Sequence, residues 1–438
     1  MRAVVVRSGG PQVLVLGPRG RLPEGEAAGK VWYANTPRVL AALGGMVDLA
    51  VLGLLGVADD PRAGLRTVTV RCAVREGAVL PAGARWVDRA AVPGLDGVVG
   101  LDGVVGWDGL AGLDGGGRQP WADPGWLPAV QDWLSGALPP AGYHPAGPVR
   151  QRKVWELSCI LRQPTDRGDI YLKTNIDAPL FVNEAAVVPE LARLFPEHVP
   201  APVAAHAGHG WLALPDFGAE VGWTAPIEIR QQVIRQFARL QIASIPHLAR
   251  LSAAGCLDRR PPWLAAQLPA FFTADRLRHW LAAPAAARLE AAIPRLADLA
   301  RDLDGHGLPA TLAHGDMHMD NIAHRAGGYL FFDWTDACIT HPFIDMIAIG
   351  LAEDEQDRAR LRQAYLSEWH PLAPAADLSR AWAQAEVLSA ANQAISYMSL
   401  GHTLQPTPTG PPHPLFASYT GHWLTTLLTT LDHLDSTR

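Results

Sequence analysis

The stretch Leu312-Ala-His-Gly-Asp-Met-His-Met-Asp-Asn-Ile-Ala323, followed three residues later by Gly327-Gly-Tyr-Leu-Phe-Phe-Asp-Trp334, decides how this chain is read. His314 and Asp316 flank a glycine, and Asn321 stands five residues beyond the Asp. An apolar run leads into this polar bend. Ile322-Ala323 and Tyr329–Phe332 then read as a hairpin across a Gly-Gly turn. A hairpin returns the residue after its second strand to the residue before its first, so Asp333 is expected beside Asn321. Asn321 and Asp333 would then offer oxygen ligands, which is what Mg²⁺ prefers.

The spacing HxDxxxxN is that of the catalytic loop in kinase-type phosphoryl transfer. On that reading Asp316 accepts a hydrogen bond from the attacking hydroxyl, Asn321 turns back toward the metal, and Asp333 supplies the second metal ligand. Each residue also has a plainer reading. An HGD triplet arises by chance and often marks a turn, Asp333 would serve as a capping residue, and His318 as an ordinary loop histidine. His314, Asp316, His318 and His324 are alternatively metal ligands with no nucleotide involved. A zinc site, however, normally closes with ligands from a second element, and no such pair is evident. The joint pattern favours phosphoryl transfer.

These residues carry a resemblance to the aminoglycoside phosphotransferase and choline kinase-like family, which has the protein kinase-like fold. That family's signature is HGDxxxxN, an apolar strand with Asp-Trp, and a later Asp at a Pro-containing helix start. Here those are His314-Gly315-Asp316, Asn321, Asp333-Trp334 and His341-Pro342-Phe343-Ile344-Asp345. The resemblance spans roughly residues 150–430. It implies an α+β, two-lobe architecture: a small β-rich lobe, then a large helical lobe. It also implies transfer of the γ-phosphoryl of ATP (or GTP), with Mg²⁺, to a hydroxyl of a small molecule such as an aminoglycoside, sugar, choline or amino alcohol.

The resemblance further implies a strand lysine on the α/β phosphates, paired to a glutamate on the next helix. Lys173 in Ile170-Tyr-Leu-Lys173 fits the first role, and Glu184 the second, with Glu190 as runner-up. A strand lysine is otherwise a solvated edge charge. His314 is expected to hold the loop and Asp345 to brace it. Trp211–Gly218, including Asp216 and Phe217, reads as the hinge whose backbone would bind the adenine edge. Asp216-Phe217-Gly218 is a decoy as a metal motif, because the metal Asp must follow Asn321. The turn Gln163–Gly168 lacks GxGxxG, and Met319-Asp320 stand where the family often has Pro-Gly.

Further out, composition from Glu228 onward favours helix almost to the end. Val154–Arg162, Asp169–Lys173 and Trp211–Leu214 read as strands. Phe181–Leu194 reads as a helix that Pro189 can kink. Trp121–Leu138 carries an amphipathic helix (Leu127, Val130, Trp133, Leu134) ending at Pro139-Pro140. Residues 1–91 read as a small α+β domain: a hairpin of Ala3–Arg7 and Val13–Leu16, a helix Thr36–Leu43 capped by Thr36, and strands Val47–Leu55 and Thr67–Val74. Its layout loosely resembles a Nudix fold, although no REUxEE run follows Gly25-Glu26. Between them, residues 92–122 repeat the hexapeptide Gly94-Leu-Asp-Gly-Val-Val and read as a linker, since so few copies cannot stack into a solenoid. The expected organisation is therefore 1–91, linker 92–122, connecting helix and β-rich lobe 123–219, and helical lobe 220–438.

Composition sets the outer limits. The chain has 438 residues, 48% hydrophobic, with 37 Lys+Arg against 43 Asp+Glu and a net charge of −6. That excludes a disordered chain and a general polyanion binder, so no nucleic-acid partner is expected. Four separated cysteines without CxxC exclude a disulfide framework and a cysteine zinc site. Met46–Ala58 is short and carries Asp48, so no membrane span is expected, and the chain reads as cytoplasmic. Within the helical lobe, Glu353, Asp354, Glu355 and Asp357 read chiefly as a solvated face. Glu386, Asn392, Gln393 and Tyr397 are candidates to line an acceptor pocket. Two other functions compete: a catalytically silent nucleotide-binding regulator of the same fold, and a metal-dependent hydrolase using the His-rich loop.

Overall fold

The computed structural model describes residues 1–6, 12–16, 21–25, 34–44, 48–60, 65–75, 77–88, 91–92, 119–123, 125–352, 354–404 and 414–436. The hexapeptide repeat lies outside the described residues. Chain order begins β1 (Arg2–Val6), β2 (Gln12–Val15), α1 (Thr36–Ala42), β3 (Leu49–Asp60), β4 (Leu65–Val74), β5 (Arg85–Asp88) and α2 (Trp126–Ala137). It continues β6 (Arg150–Val154), β7 (Ser158–Thr165), β8 (Gly168–Asn175), α3 (Glu184–Leu194), β9 (Ala204–His206) and β10 (Trp211–Pro215). Then come α4 (Ile227–Ser244), α5 (Leu248–Ala254), β11 (Leu257–Asp258), α6 (Pro261–Phe271), α7 (Ala274–Leu277), α8 (Ala283–Ala291), α9 (Ile293–Asp304) and β12 (Thr311–Ala313). The last are β13 (Ile322–Arg325), β14 (Gly328–Phe331), β15 (Cys338–Thr340), α10 (Ile347–Gly350), α11 (Glu355–Ser367), α12 (Ala375–Thr403) and α13 (Pro414–Ser436). The fold is α+β, with a β-rich part followed by a mainly helical one. By contacts the chain divides into two compact units, one of residues Met1–Ile176 with Trp211–Asp216, the other of Asp177–Gly210 with Phe217–Arg438.

The first unit holds two sheets. One has the order β3-β4-β1-β2-β5. Its centre is a parallel pair, Arg2↔Thr69 through Val6↔Ala73, flanked by antiparallel neighbours. Val4, Val13, Val15, Leu52, Ala73 and Val92 form its core. The cap of α1 is Asn35, whose side chain accepts from the Arg38 N–H, and not Thr36. Thr36 is buried and donates its hydroxyl to the Ala34 carbonyl. The helix therefore starts one residue earlier than the Thr-Pro pair suggests.

The second sheet of this unit runs β6-β7-β8-β10. The single strand expected from Val154 breaks at Trp155-Glu156-Leu157, where the Trp155 N–H and indole N–H both turn onto Ser158. The expected loop Gln163–Gly168 narrows to Asp166-Arg167, with Gly168 at φ 110°, because Gln163 to Thr165 stay in register with Ile170 to Gly168. The two sheets are clipped together. Gln151 on β6 accepts from the Val51 N–H and donates to the Val51 carbonyl, both at 2.8 Å. Arg75 donates to the Val149 carbonyl, and Val154 N–H to the Ala34 carbonyl. Pro120–Ala122, at the end of the expected linker, is a 3₁₀ turn with Trp121 buried.

The second unit is mainly helical. Phe343, Tyr365, Trp369 and Trp382 pack ring to ring at its centre. β11, β15 and β12 form a small sheet, and β13 and β14 form the expected hairpin, Ile322↔Phe331 to Arg325↔Gly328. Gly327 takes φ 88° at its turn. Gln236 of α4 pins the hairpin, its amide bonded to the N–H and carbonyl of Tyr329. Pro189 lies inside α3, which starts at Glu184, later than expected. Among the described residues no helix is long and apolar enough to cross a membrane.

Candidate active site

β12 delivers the chain to His314, which is fully buried. The backbone then turns sharply, and one carboxylate shapes the bend. Asp345 accepts from the His314 N–H at 2.6 Å and from the Gly315 N–H at 2.7 Å. The Gly315 carbonyl is held from the other side by the Gln393 amide at 2.8 Å. Gly315 sits at φ 81°, and a Cβ there would lie 2.3 Å from the Asp336 carbonyl oxygen. Only glycine fits. Burial raises the Asp345 carboxyl to about 7, against the opposing pull of those two N–H groups.

The His314 imidazole packs on Trp334, 4.6 Å between centroids, and shares its Nε2 with the Phe332 carbonyl at 2.8 Å. Burial lowers it to about 4, so it is neutral at physiological pH and ties the loop to the end of β14. Asp316, the next polar side chain, remains partly exposed. His318 brings its Nε2 to 3.5 Å from an Asp316 carboxylate oxygen and stacks on Trp223. Burial alone would lower the His318 imidazole, but Asp316, Asp320 and Asp333 together raise it.

Asn321 closes the bend by donating its Nδ2 to the Asp316 carbonyl at 3.0 Å, with His318 Nε2 at 3.2 Å from the same nitrogen. Its Oδ1 is thereby left as the available acceptor. The Phe332 N–H donates to the Asn321 carbonyl, extending the hairpin by one step so that Asp333 follows directly. Asp333 has φ 63°, the one positive value at a non-glycine residue among those described. Thr335 donates its hydroxyl to Asp333 Oδ1 at 2.9 Å. An amide oxygen and a carboxylate are hard donors that suit Mg²⁺, which takes few protein ligands, better than zinc. Among the described residues no three His, Cys, Asp or Glu side chains gather as a metal site.

The other expected residues have clear placements. Glu184, at the start of α3, accepts from the Trp334 N–H at 2.8 Å, and its other oxygen lies 3.1 Å from the Thr335 hydroxyl, whose one proton it shares with Asp333, so that Glu184 fixes the backbone after Asp333. Lys173 lies near the end of β8, in register with Ile160 and Leu212. Asp216 follows β10 and donates its N–H to the Asp169 carbonyl. Phe217 packs on Phe332, 5.0 Å between centroids. Glu190 is engaged by Arg193 and Arg250. The acidic cluster caps and pairs: Asp354 caps α11, Asp357 meets Arg230, and Glu355 meets Arg358.

The helix α12 proves closer to the loop than its composition shows. Besides Gln393, Asn392 and Ser396 accept from the buried Arg259. Tyr397 stacks on Tyr419, and its phenol is pushed up by burial and then by Asp316 and Asp336. Glu386 lines a separate cavity of about 160 Å³. The sequence singles out Gln393 only as a candidate pocket residue, not for its hold on Gly315, and does not single out Asp336, Arg259 or Trp223. The loop contacts of Gln393 and Glu184 cross 78 and 150 residues, beyond any local pattern.

No curated protein matches the chain at a significant level. Among solved structures, a choline kinase from Cryptosporidium parvum Iowa II is 12% identical, covering 71% of this chain and 96% of that one, with a TM-score of 0.51. Macrolide 2'-phosphotransferase type I is 19% identical, with coverage of 68% and 97% and a TM-score of 0.47. A choline/ethanolamine kinase family protein from Mesorhizobium loti is 15% identical, with coverage of 70% and 97% and a TM-score of 0.48. At these identities the likeness concerns fold alone, and of the three the first is close enough to bear on it. The sequence itself matches the APH phosphotransferase enzyme family over residues 160–385, more than half the chain, and the protein belongs to that family.

Proposed function

We propose that this protein transfers the γ-phosphoryl group of a nucleoside triphosphate, ATP or GTP, to a hydroxyl of a small molecule. The observation that carries the reading is the loop itself. Asp345 and Gln393 fix Gly315, Asn321 fixes Asp316, and the hairpin sets Asp333 beside them, leaving the Asp316 carboxylate partly exposed. Asp316 orients the acceptor hydroxyl and receives its proton late, because the transition state is loose and anionic. Asn321 Oδ1 and Asp333 would hold Mg²⁺, which when bound neutralises phosphate charge. Lys173 is assigned to the α/β phosphates. His314 and Glu184 hold the backbone on either side.

What surrounds Asp316 in the helical unit supports a sugar, amino sugar or amino alcohol acceptor. Tyr397 on Tyr419, Trp223 on His318, and the nearby Asp336 offer flat faces and negative charge. Replacing Asp316 with Ala should cut turnover at least about a hundredfold and leave nucleotide affinity nearly unchanged. The measurement is ADP or GDP release over a panel of aminoglycosides, sugars, choline and amino alcohols. Equal losses in turnover and affinity would remove Asp316 from its role. Nucleotide binding without turnover of any acceptor would favour the silent regulator. Activity without nucleotide, abolished by zinc chelation, would favour the hydrolase, against which His314 already commits its Nε2 to a carbonyl.

A further inference from the structure

Arg259 stands just after β11 with 2% of its surface exposed. Its backbone is clamped on both sides: the N–H donates to the Ile339 carbonyl at 2.9 Å, and the carbonyl accepts the Thr340 hydroxyl at 2.8 Å. Those partners belong to β15, which pairs with β12, the strand that delivers His314. Among the described residues the guanidinium bonds only neutral oxygens. Nη2 donates to Asn392 Oδ1 at 2.8 Å and to Ser396 Oγ at 2.7 Å, and Nε has no acceptor. The Trp263 ring lies against it, 5.0 Å from centroid to guanidinium carbon. A guanidinium withdrawn from water with no bonded carboxylate is costly, so its charge has to be met from further off.

Two routes lead from Arg259 to the bend at Gly315. The first is mechanical. Asn392 and Ser396 flank Gln393 on one stretch of α12, and the Gln393 amide holds the Gly315 carbonyl at 2.8 Å. These three residues lie beyond residue 385, where the family match ends. The second route is electrostatic. Asp345 holds the His314 and Gly315 N–H groups, and burial pushes its carboxyl up to about 7. The two N–H groups pull it back down, Asp316 pushes it up again, and Arg259 pulls it down. Cys338 of β15 and Tyr365 of α11 also lie in its field and are uncharged at neutral pH. From α12, packed on the Asp345 turn, come Asn392, Gln393 and Ser396, none of which titrates. Arg259 is thus the cation acting on the carboxylate that shapes the bend.

We propose that Arg259 is a positioning residue for phosphoryl transfer. Its fork sets the turn of α12 that carries Gln393, and its charge stabilises the Asp345 carboxylate as it accepts both N–H bonds. Both groups that hold Gly315, and through it Asp316, then depend on one guanidinium. This role rests on the proposed function, and the test separates the two.

The test follows ADP or GDP release by the full chain, over the same panel of aminoglycosides, sugars, choline and amino alcohols, from about pH 6 to 9. Arg259→Met removes the charge and keeps most of the volume, so the acid limb of the turnover profile should move up by about one pH unit. Arg259→Lys keeps the charge, and its limb should stay within about 0.3 unit of the parent's. In an Asp345→Asn background, which has no carboxylate to stabilise, Arg259→Met should leave the limb where it is. Urea unfolding gives a readout without turnover. A carboxyl raised in the folded chain contributes stability at low pH that is lost as pH rises through its folded value, and in Arg259→Met that loss should run about one unit higher. If Arg259→Met does not fold, Arg259→Gln, which can still donate to Asn392, takes its place. A limb that the neutral variant leaves in place, or that Arg259→Lys moves as far, would overturn the proposal. No turnover of any acceptor by the parent would instead remove the phosphotransferase reading, and the unfolding profile would then decide whether Arg259 serves Asp345.

Discussion

At the scale of single residues, the site rests on Gly315. Its N–H, its carbonyl and the space where a side chain would go are all taken, by Asp345, Gln393 and Asp336. Gly315→Ala therefore has to move the backbone that carries Asp316, and displacements near 1 Å at a reacting group cost about a hundredfold. A steady-state assay should show turnover falling by at least that much, and an unchanged rate would mean the bend is not needed. His341 gives a separate prediction. Its Nδ1 accepts from the Phe343 N–H, and burial lowers the imidazole to about 3. Below pH 6.5 the unfolded chain takes up a proton that the folded one refuses, so this contribution is complete above that pH and drains away on acidification. Asp345, raised to about 7, works in the opposite sense: its contribution is present at low pH and is lost as pH rises toward 7. His341→Asn keeps an acceptor for Phe343 while removing the titration. Urea unfolding between pH 6 and 4 should then show an acid limb flatter by up to about 1.4 kcal/mol per pH unit. An unchanged slope would show that His341 does not titrate in the unfolded chain alone.

At the scale of elements, what was legible in the sequence is what local chemistry determines. The β13–β14 hairpin announces itself through the Gly-Gly turn between two apolar runs, and with it comes the return of Asp333 to Asn321. The break between β6 and β7 does not announce itself, because Trp155-Glu156-Leu157 contains no turn former and depends on Ser158 receiving both Trp155 donors. The cap of α1 was missed by one residue, since Asn35 and Thr36 are both good caps and burial of Thr36 decides between them. Gln151 was invisible for a different reason: its partner lies 100 residues away. Its amide is the clip between β6 and β3. Gln151→Leu would keep the volume and leave the Val51 N–H and carbonyl buried without partners, at about 1–3 kcal/mol each. Urea denaturation should show a loss of at least about 2 kcal/mol. A variant as stable as the parent would mean that water or rearranged strands satisfy Val51.

At the scale of the whole molecule, the question is whether the family-matched region, residues 160–385, stands without the residues before it. Within the first unit the N-terminal sheet and the β6–β8 sheet are joined by specific bonds. Val51 serves Gln151, Ala34 receives the Val154 N–H, Arg75 serves Val149, and Arg71 serves the Ala122 carbonyl. A chain begun at Gln119 loses all of these partners and uncovers Trp121, now 1% exposed. Several buried polar groups left unpaired, at about 1–3 kcal/mol each, add up to a large share of the 5–15 kcal/mol that holds an ordinary domain together. The truncated chain should therefore be recovered mostly insoluble, or melt at least about 10 °C below the full chain in a calorimetric scan. It should also lose phosphoryl transfer even though Asp316, Asn321 and Asp333 are all retained, because Lys173 sits on the sheet that the cut undermines. A soluble truncation with the parent's melting temperature would show instead that the clips between the two sheets are incidental, and that the N-terminal residues are an appendage to a self-sufficient phosphotransferase.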